Sequence, residues 1–302
     1  MTAATQRPAL VPRDRDTPAR RRPGRLPADR RSRATYAILF GLTVLVLLVL
    51  APFFVIVINA FKDPADLAAH GPLTLPHGWH FSAIKNFWSQ VHFGGVLLNS
   101  LEISGVVAVL GVVLSLLNAY ALGIGRLRGR VAFLIFFLIA NVLPQEGLVY
   151  PLYYLAKQVH LYDTKLAIVI IFTVIQSTFG TYLLSSVFAA FPLELLEAAA
   201  IDGANKWRAL WNVVVPISRP TLGVLFTFFF IWTWNEFFLP LVFLIDNSKQ
   251  TVPVALAVST GQHTVNVTST AASSLLGVLP AIVFFLIFQR TLTRGVAVGA
   301  VK

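Results

Sequence analysis

Six stretches of the chain are apolar for about twenty residues or more, and, outside the two ends of the chain, most of the charged residues lie in the segments that separate them. They run at about 36–61, 95–122, 131–155, 166–190, 221–245 and 271–289. A bilayer core of about 30 Å is crossed by about 20 residues of helix, so each stretch is long enough to span it. The pattern predicts an all-α polytopic membrane protein with six transmembrane helices. No stretch between them is long enough to fold as a separate soluble domain, and no repeat of 20–50 residues is evident.

One long polar interruption inside this pattern is at about 191–220, and most of it reads "ELLEAAAIDGANKWRALWNVVVPISRP". Pro192 suits the first position of a helix, where its missing N–H costs nothing. From Leu196 the small or apolar residues 196, 199, 200 and 203 share one helical face, while Glu194, Glu197 and Ile201 share another. Gly203 is placed to end this helix in a left-handed conformation. A second helix follows, with Trp207, Leu210, Trp211 and Val214 at helical spacing, and Pro216 is expected to stop it. The first helix offers alanines that let another backbone come close, with acids able to meet Arg or Lys. The tryptophans of the second suit the membrane base of the protein or the lipid interface. From pattern alone, an interfacial amphipathic helix with no partner stays open.

Composition agrees with a membrane protein: 56% of the 302 residues are hydrophobic and 12% charged, where a soluble domain carries about 25% charged. There is no cysteine, which excludes disulfides, thiol catalysis and Cys-ligated metals. The net charge of +11 is concentrated in residues 1–34, with ten Arg against Asp14, Asp16 and Asp29. That proline-rich leader is expected to be a disordered tail at the membrane surface and an orientation signal, not a nucleic-acid site. The apolar stretch after it, about 25 residues long, exceeds the 7–15 of a secretory signal. With the N-terminus inside, nineteen Lys and Arg fall on the inner side and five on the outer: Lys62, Lys85, Lys157, Lys165 and Lys249. The positive-inside bias thus places both termini and the 191–220 loop in the cytoplasm, and all six histidines outside. His77 and His80 in "HGWH" have no carboxylate in register and read as polar loop residues, so no metal site is expected.

Three glutamates, Glu102, Glu146 and Glu236, lie within apolar stretches, where ionisable groups are costly and face a cavity or a partner. Glu146 and Glu236 sit about 22 Å from the inner ends of their spans and Glu102 about 10 Å from its outer end, by a rise of 1.5 Å per residue. All three fall in the outer half of the bilayer. Pro144 and Gly147 bracket Glu146, so the third helix is expected to break there. Tyr150, Tyr153, Trp232, Trp234 and Asn235 lie at similar depths. Aromatic faces, carboxylates and amides together suit a sugar. Glu102, Glu146, Tyr150, Trp234, Asn235 and Glu236 are therefore candidates for a substrate pathway. The alternative is that the glutamates only cap broken backbone or bond neighbouring helices.

The spacing of Glu197-Ala198-Ala199, Asp202-Gly203-Ala204, then Val213, Val215 and Pro216, resembles the EAA loop of ABC importer permeases. Val stands where that motif has Ile and Leu. Asn99-Ser100, Ala119-Tyr120-Ala121, Trp234-Asn235-Glu236 and the ending "GVAVGAVK" resemble the carbohydrate branch, the maltose-type permease subunits. The resemblance covers about 36–302 and leaves the Arg-rich leader outside. It implies a type I importer permease fold over 35–302 in a bacterial cell membrane, with a cytoplasmic coupling helix. It also implies that Glu197, Ala198, Ala199, Asp202, Gly203, Ala204 and Pro216 couple to an ATPase. The C-terminal tail with Gly295, Gly299 and Lys302, expected to be flexible, would enter the ATPase interface. The implied partners are an ATPase dimer that binds ATP and Mg, a second permease, an extracytoplasmic solute-binding protein, a sugar and membrane lipid. No lysine follows a glycine, so the phosphate-binding loop G-x-x-x-x-G-K-[ST] cannot occur and no cofactor is expected in this chain. An ion-coupled secondary transporter is the rival reading, which would need a coupling-ion site and no docking loop. A membrane enzyme has no supporting constellation in the sequence.

Overall fold

The computed structural model describes residues 33–125, 127–262 and 266–300, with side chains over 35–125, 127–259 and 266–289. The tail expected over 1–34 lies outside the described residues except for Arg33 and Ala34, which open the first helix. Among the described residues all regular structure is helical. Five helices are long and apolar enough to cross a membrane: Thr35–Ala60, Phe93–Ile124, Lys165–Ala189, Lys206–Asn235 and Val267–Gln289. A bent pair, Arg130–Val142 and Gln145–Gln158, meeting at 92°, makes a sixth when it is counted as one broken span.

The first helix, α1 (Arg33–Ala60), belongs to two units that divide at Ala51 and Pro52. Up to Leu50 its side chains are exposed and almost all apolar, a surface suited to hydrocarbon. From Pro52 onward the chain forms one compact unit. It contains α2 (Pro64–His70), α3 (Ser82–Gln90), α4 (Phe93–Ala119), α5 (Arg130–Val142), α6 (Val149–Gln158) and α7 (Lys165–Ala189). Then come α8 (Leu193–Ile201), α9 (Lys206–Ala209), α10 (Val215–Asn235), α11 (Phe238–Phe243), α12 (Val252–Gln262) and α13 (Val267–Ala300).

Helices α4, α7 and α10 form the centre. In lipid no hydrophobic force drives helices together, so close backbone approach and hydrogen bonds must do it. The sequence of α7 meets that need with a buried stripe of small and polar residues, Thr173, Gln176, Ser177, Gly180, Thr181 and Ser185. Ser115 of α4 reaches the Ser177 carbonyl at 3.3 Å, and Gln176 donates to Thr233 of α10 at 2.8 Å. A Cβ on Gly180 would lie 2.2 Å from Ser115 Oγ and 2.8 Å from both Ser115 Cβ and a Phe229 ring carbon. Gly180→Val is therefore expected to force α4 and α7 apart, at about 1–3 kcal/mol for overpacking. Less monodisperse protein after detergent extraction and a lower Tm than wild type are the measurable results.

Four expectations are corrected. Pro192 sits just before the first helical residue of α8, at its N-cap. Pro216 does not stop the second helix of the loop. The chain turns from α9 through a π-turn, Leu210–Val214, and continues as α10 past Pro216 and Pro220. A proline clashes with the carbonyl four residues earlier, and the wider π-turn that contains this carbonyl (Asn212) gives the ring room. The helix of the fifth span consequently runs from Lys206, inside the loop, to Asn235 and does not extend to 245, because Glu236 has extended backbone. The tail expected to be flexible is helical to Ala300 through Gly295 and Gly299. Two glycines cost about 1 kcal/mol each, too little to interrupt a helix already nucleated. Lys302 lies outside the described residues.

Candidate functional site

The 191–220 loop is built by local signals. Gly203 N–H bonds the Ala200 carbonyl at 3.0 Å and Ala204 N–H bonds Ala199 at 2.9 Å, the paired bonds of a Schellman ending. This requires the left-handed backbone that the glycine supplies, with φ +80°. Asn205 then starts α9 by accepting a 2.8 Å bond from the Arg208 N–H, a cap visible in the sequence as an Asn before an apolar-periodic run. The loop is held to the bundle at two points. Tyr120, at the end of α4, donates to the Lys206 carbonyl at 2.9 Å, and Leu210 and Val214 are buried in the core with Leu116 and Phe188.

What remains outside is the surface of α8, none of whose residues is buried. Glu197, Ala198, Asp202 and Gly203 are exposed, Ala199 and Ala204 are half-buried, and Ile201 is 87% exposed. Trp207 and Trp211 are also exposed and meet edge to face at 5.7 Å. Of the four positions at helical spacing, the aliphatic ones pack on the protein and the tryptophans face out. Pro216 is half-buried, inside the continuous helix.

On the other side of the bundle, two interrupted spans meet. The third span breaks at Leu143 and Pro144, as Pro144 predicts, and resumes through a 3₁₀ turn, Gln145–Leu148. The fifth breaks at Glu236. Gln145 Nε2 donates to Glu236 Oε2 at 3.1 Å, and the Phe238 N–H donates to Glu236 Oε1 at 3.2 Å. Glu236 is 9% exposed, so a buried carboxylate joins the two breaks. Glu146 and Tyr150 are exposed, with the Tyr150 hydroxyl 3.2 Å from that of Tyr154. Asn235 is exposed and donates to the Ile231 carbonyl. Trp234 is 4% exposed, its ring packed on Phe230 and Phe284, so its faces are covered within the chain.

Glu102 is not with this group's hydrogen bonds. It is paired with Lys165, which also donates to Asn99 Oδ1 at 3.1 Å. Asn99 in turn donates to the carbonyls of Ser248 and Gln250, and Ser100 accepts from the Val252 N–H at 2.8 Å. Asn99-Ser100 thus clamps the loop before α12. Asp163 completes the clamp by accepting from Ile245 and Asp246 N–H and from Lys249 Nζ. The bond from Lys249 holds the Asp163 carboxyl below its ordinary range. Gln145, Gln176, Lys165 and Asp163 were missed from sequence. Polar residues inside or flanking apolar stretches were the available signal, but their partners lie far away in the chain.

An exposed helix–turn–helix fastened to one end of a bundle, with a buried carboxylate between broken spans at the other, defines a multi-pass membrane transport subunit. Residues 24–298 match the family described as "Binding-protein-dependent transport system inner membrane component". The chain belongs to this family, the permease subunits of ABC importers, and the ion-coupled alternative falls away. It is 30% identical over 266 residues to the inner membrane ABC transporter permease protein YcjP of Escherichia coli K12, covering 87% of this chain and 94% of that one. It is 27% identical to the probable starch degradation products transport system permease protein AmyC of Thermoanaerobacterium thermosulfurigenes, covering 88% and 97%. The crystal structure of a bacterial ABC transporter involved in the import of the acidic polysaccharide alginate contains a chain of similar fold. Its TM-score is 0.73 at 24% identity, over 88% of this chain and 99% of that one.

Proposed function

We propose that the chain forms half of the membrane pore of a carbohydrate importer and moves solute by alternating access, driven by an ATPase dimer docked on α8. The observation that carries this reading is the continuity of the helix from Lys206 to Asn235, 30 residues. At 1.5 Å per residue it is about 45 Å long, a rod with the docking loop at one end and Glu236 at the other. A displacement of α8 and α9 on ATP binding moves this rod, and with it the junction of the two broken spans. Coupling falls to Glu197, Ala198, Ala199, Asp202, Gly203 and Ala204, with Pro216 in the rod itself. The chain end around Gly295, Gly299 and Lys302 reaches the same ATPase interface.

ATP and Mg bind to the partner subunits, and this chain performs no covalent chemistry. A second permease of similar fold completes the pore, and an extracytoplasmic binding protein delivers the sugar. Both termini and the α8 loop face the cytoplasm, in keeping with the distribution of Lys and Arg. Glu146, Tyr150, Asn235 and Glu236 face the path; Trp234 supports it from behind, and the Glu102–Lys165 pair lies at the clamp near its outer side. Carbohydrate is favoured because a relative is described as a probable permease for starch degradation products and the candidate residues are hydrogen-bonding and aromatic.

Co-reconstitution of the chain with its cognate ATPase, second permease and binding protein tests the reading. The expected result is uptake of labelled oligosaccharides that requires both ATP and the binding protein. Uptake driven by an imposed proton or sodium gradient, with the ATPase left out, would overturn it.

A further inference from the structure

The segment between α1 and α3 lies at the opposite end of the bundle from α8: Phe87 of α3 packs on Phe93 at the start of α4, while Tyr120, past the other end of that helix, bonds the Lys206 carbonyl. Asp66 and His70 are four residues apart on α2, one turn of one face. The chain then turns at Gly71, with φ +75°, and brings His77 back onto the same carboxylate. His70 Nδ1 lies 2.9 Å and His77 Nδ1 2.8 Å from Asp66 Oδ1, and the His77 N–H donates to Oδ2 at 3.3 Å. The two imidazole rings are 4.2 Å apart. The carboxylate that "HGWH" lacked in its own register is therefore eleven residues upstream, and its histidine partner is His70, not His80.

This loop is held by an unusual device. Lys62 is fully buried, and its ammonium donates to the Gly71 carbonyl at 2.7 Å and to Thr74 Oγ1 at 3.0 Å. Asn59 donates to the Pro72 carbonyl at 2.8 Å, and the His80 N–H bonds back to Phe61 at 2.9 Å. Both limbs that carry the histidines are thus tied to the end of α1. Burying a charge is costly unless it is hydrogen-bonded, and here the bonds fix the path of the loop. A framework of this kind holds three donor atoms together before any ligand arrives.

We propose that Asp66, His70 and His77 form a binding site for a borderline divalent metal ion, of which zinc is the best match. Two imidazole nitrogens and one carboxylate oxygen suit zinc, whereas calcium and magnesium prefer oxygen alone. In a tetrahedral site with bonds of about 2.0–2.1 Å, neighbouring ligand atoms stand about 3.3 Å apart. The observed 2.8 and 2.9 Å lie within about half an ångström of that spacing, and all three donor atoms lie within 4.8 Å of one another, so small rotations of the exposed imidazoles bring the set to the spacing a metal needs. Each neutral imidazole carries its proton on Nδ1 when it donates to Asp66. On binding, that proton moves to Nε2 and the Nδ1 lone pair goes to the metal. Both rings are exposed enough for Nε2–H to reach water, and a water fills the fourth position. The bound ion staples the 71–81 loop to α2, next to the start of the last span.

The test uses the full chain, purified in detergent with a tag free of histidine, and titrates zinc chloride by calorimetry. The expected result is one zinc ion per chain. Asp66→Asn and His77→Ala should each weaken binding by at least about tenfold, the smallest loss usual even for groups that only touch a metal's ligands. His80→Ala, in the same loop, should bind like wild type, and gel filtration should show all variants monodisperse. Cobalt chloride should give the visible absorption of a tetrahedral site in wild type and not in His77→Ala. No stoichiometric zinc on the wild-type chain, unchanged affinity in Asp66→Asn and His77→Ala, or an equal loss in His80→Ala would each overturn the proposal.

Discussion

Gly203→Val is expected to leave the subunit in the membrane at its normal level and to lower both ATPase association and uptake by more than tenfold. The cause is conformational. A Cβ at this position meets nothing within 4 Å, so the change creates no clash. The backbone, however, has φ +80°, where a β-branched residue is strained by about 1–3 kcal/mol. The Schellman bonds from Gly203 and Ala204 would be lost, and the angle between α8 and α9 with them. Asn tolerates this conformation better than most residues, so Gly203→Asn should retain more uptake than Gly203→Val. Glu197→Arg separates shape from charge: it sits on the open face of α8 and should weaken ATPase association without altering the loop. Co-purification of the ATPase and uptake per inserted subunit are the measurements. Wild-type values in both Gly203→Val and Glu197→Arg would remove α8 from the coupling path.

The second large effect is expected at Glu236. Glu236→Leu removes the acceptor for Gln145 and for the Phe238 N–H, leaving two donors at the junction of the broken spans without a partner. A buried group left in this way costs about 1–3 kcal/mol. Glu236→Gln keeps the shape and one carbonyl oxygen, and sugar hydroxyls do not require a charged partner. Uptake per assembled complex should therefore fall by a few-fold at most in Gln and by more than tenfold in Leu. Assembled complex and uptake have to be measured separately, because a purely structural role predicts a different division. If Leu lowers the amount of complex and leaves uptake per complex unchanged, Glu236 holds the helices together and lies outside the transport path.

These two sites differ in how far the amino-acid sequence reveals them. The 191–220 loop is written in signals a few residues apart: the glycine that alone takes φ +80° easily, the Asn before the next helix, and the apolar periodicity of Leu210 and Val214. Such signals act through the backbone of the same turn, so they are legible without a fold. The break at Pro144 is of the same kind, since a proline acts on its own helix wherever that helix lies. The apolar stretches set the spans because the thickness of the bilayer, not a neighbouring helix, decides their length. Pro216 is the instructive exception, because its usual effect as a helix breaker depends on the turn before it. The π-turn at Leu210–Val214, packed into the core, carries the helix through and makes one rod of the loop and the fifth span.

Everything that depends on a partner far along the chain was decided only by tertiary structure. Glu236 meets Gln145 across 91 residues, and Lys165 meets Glu102 across 63. Trp234, polar-edged and aromatic like a sugar platform, is enclosed by Phe230 and Phe284 because α13 happens to cover that face of α10. His77 finds its carboxylate only after the loop has folded back on α2. An ionisable or aromatic residue in an apolar stretch announces that it needs a partner or a cavity, since the cost of burial is its own property. Which of the two it finds is a property of helix packing, and no local pattern carries that information.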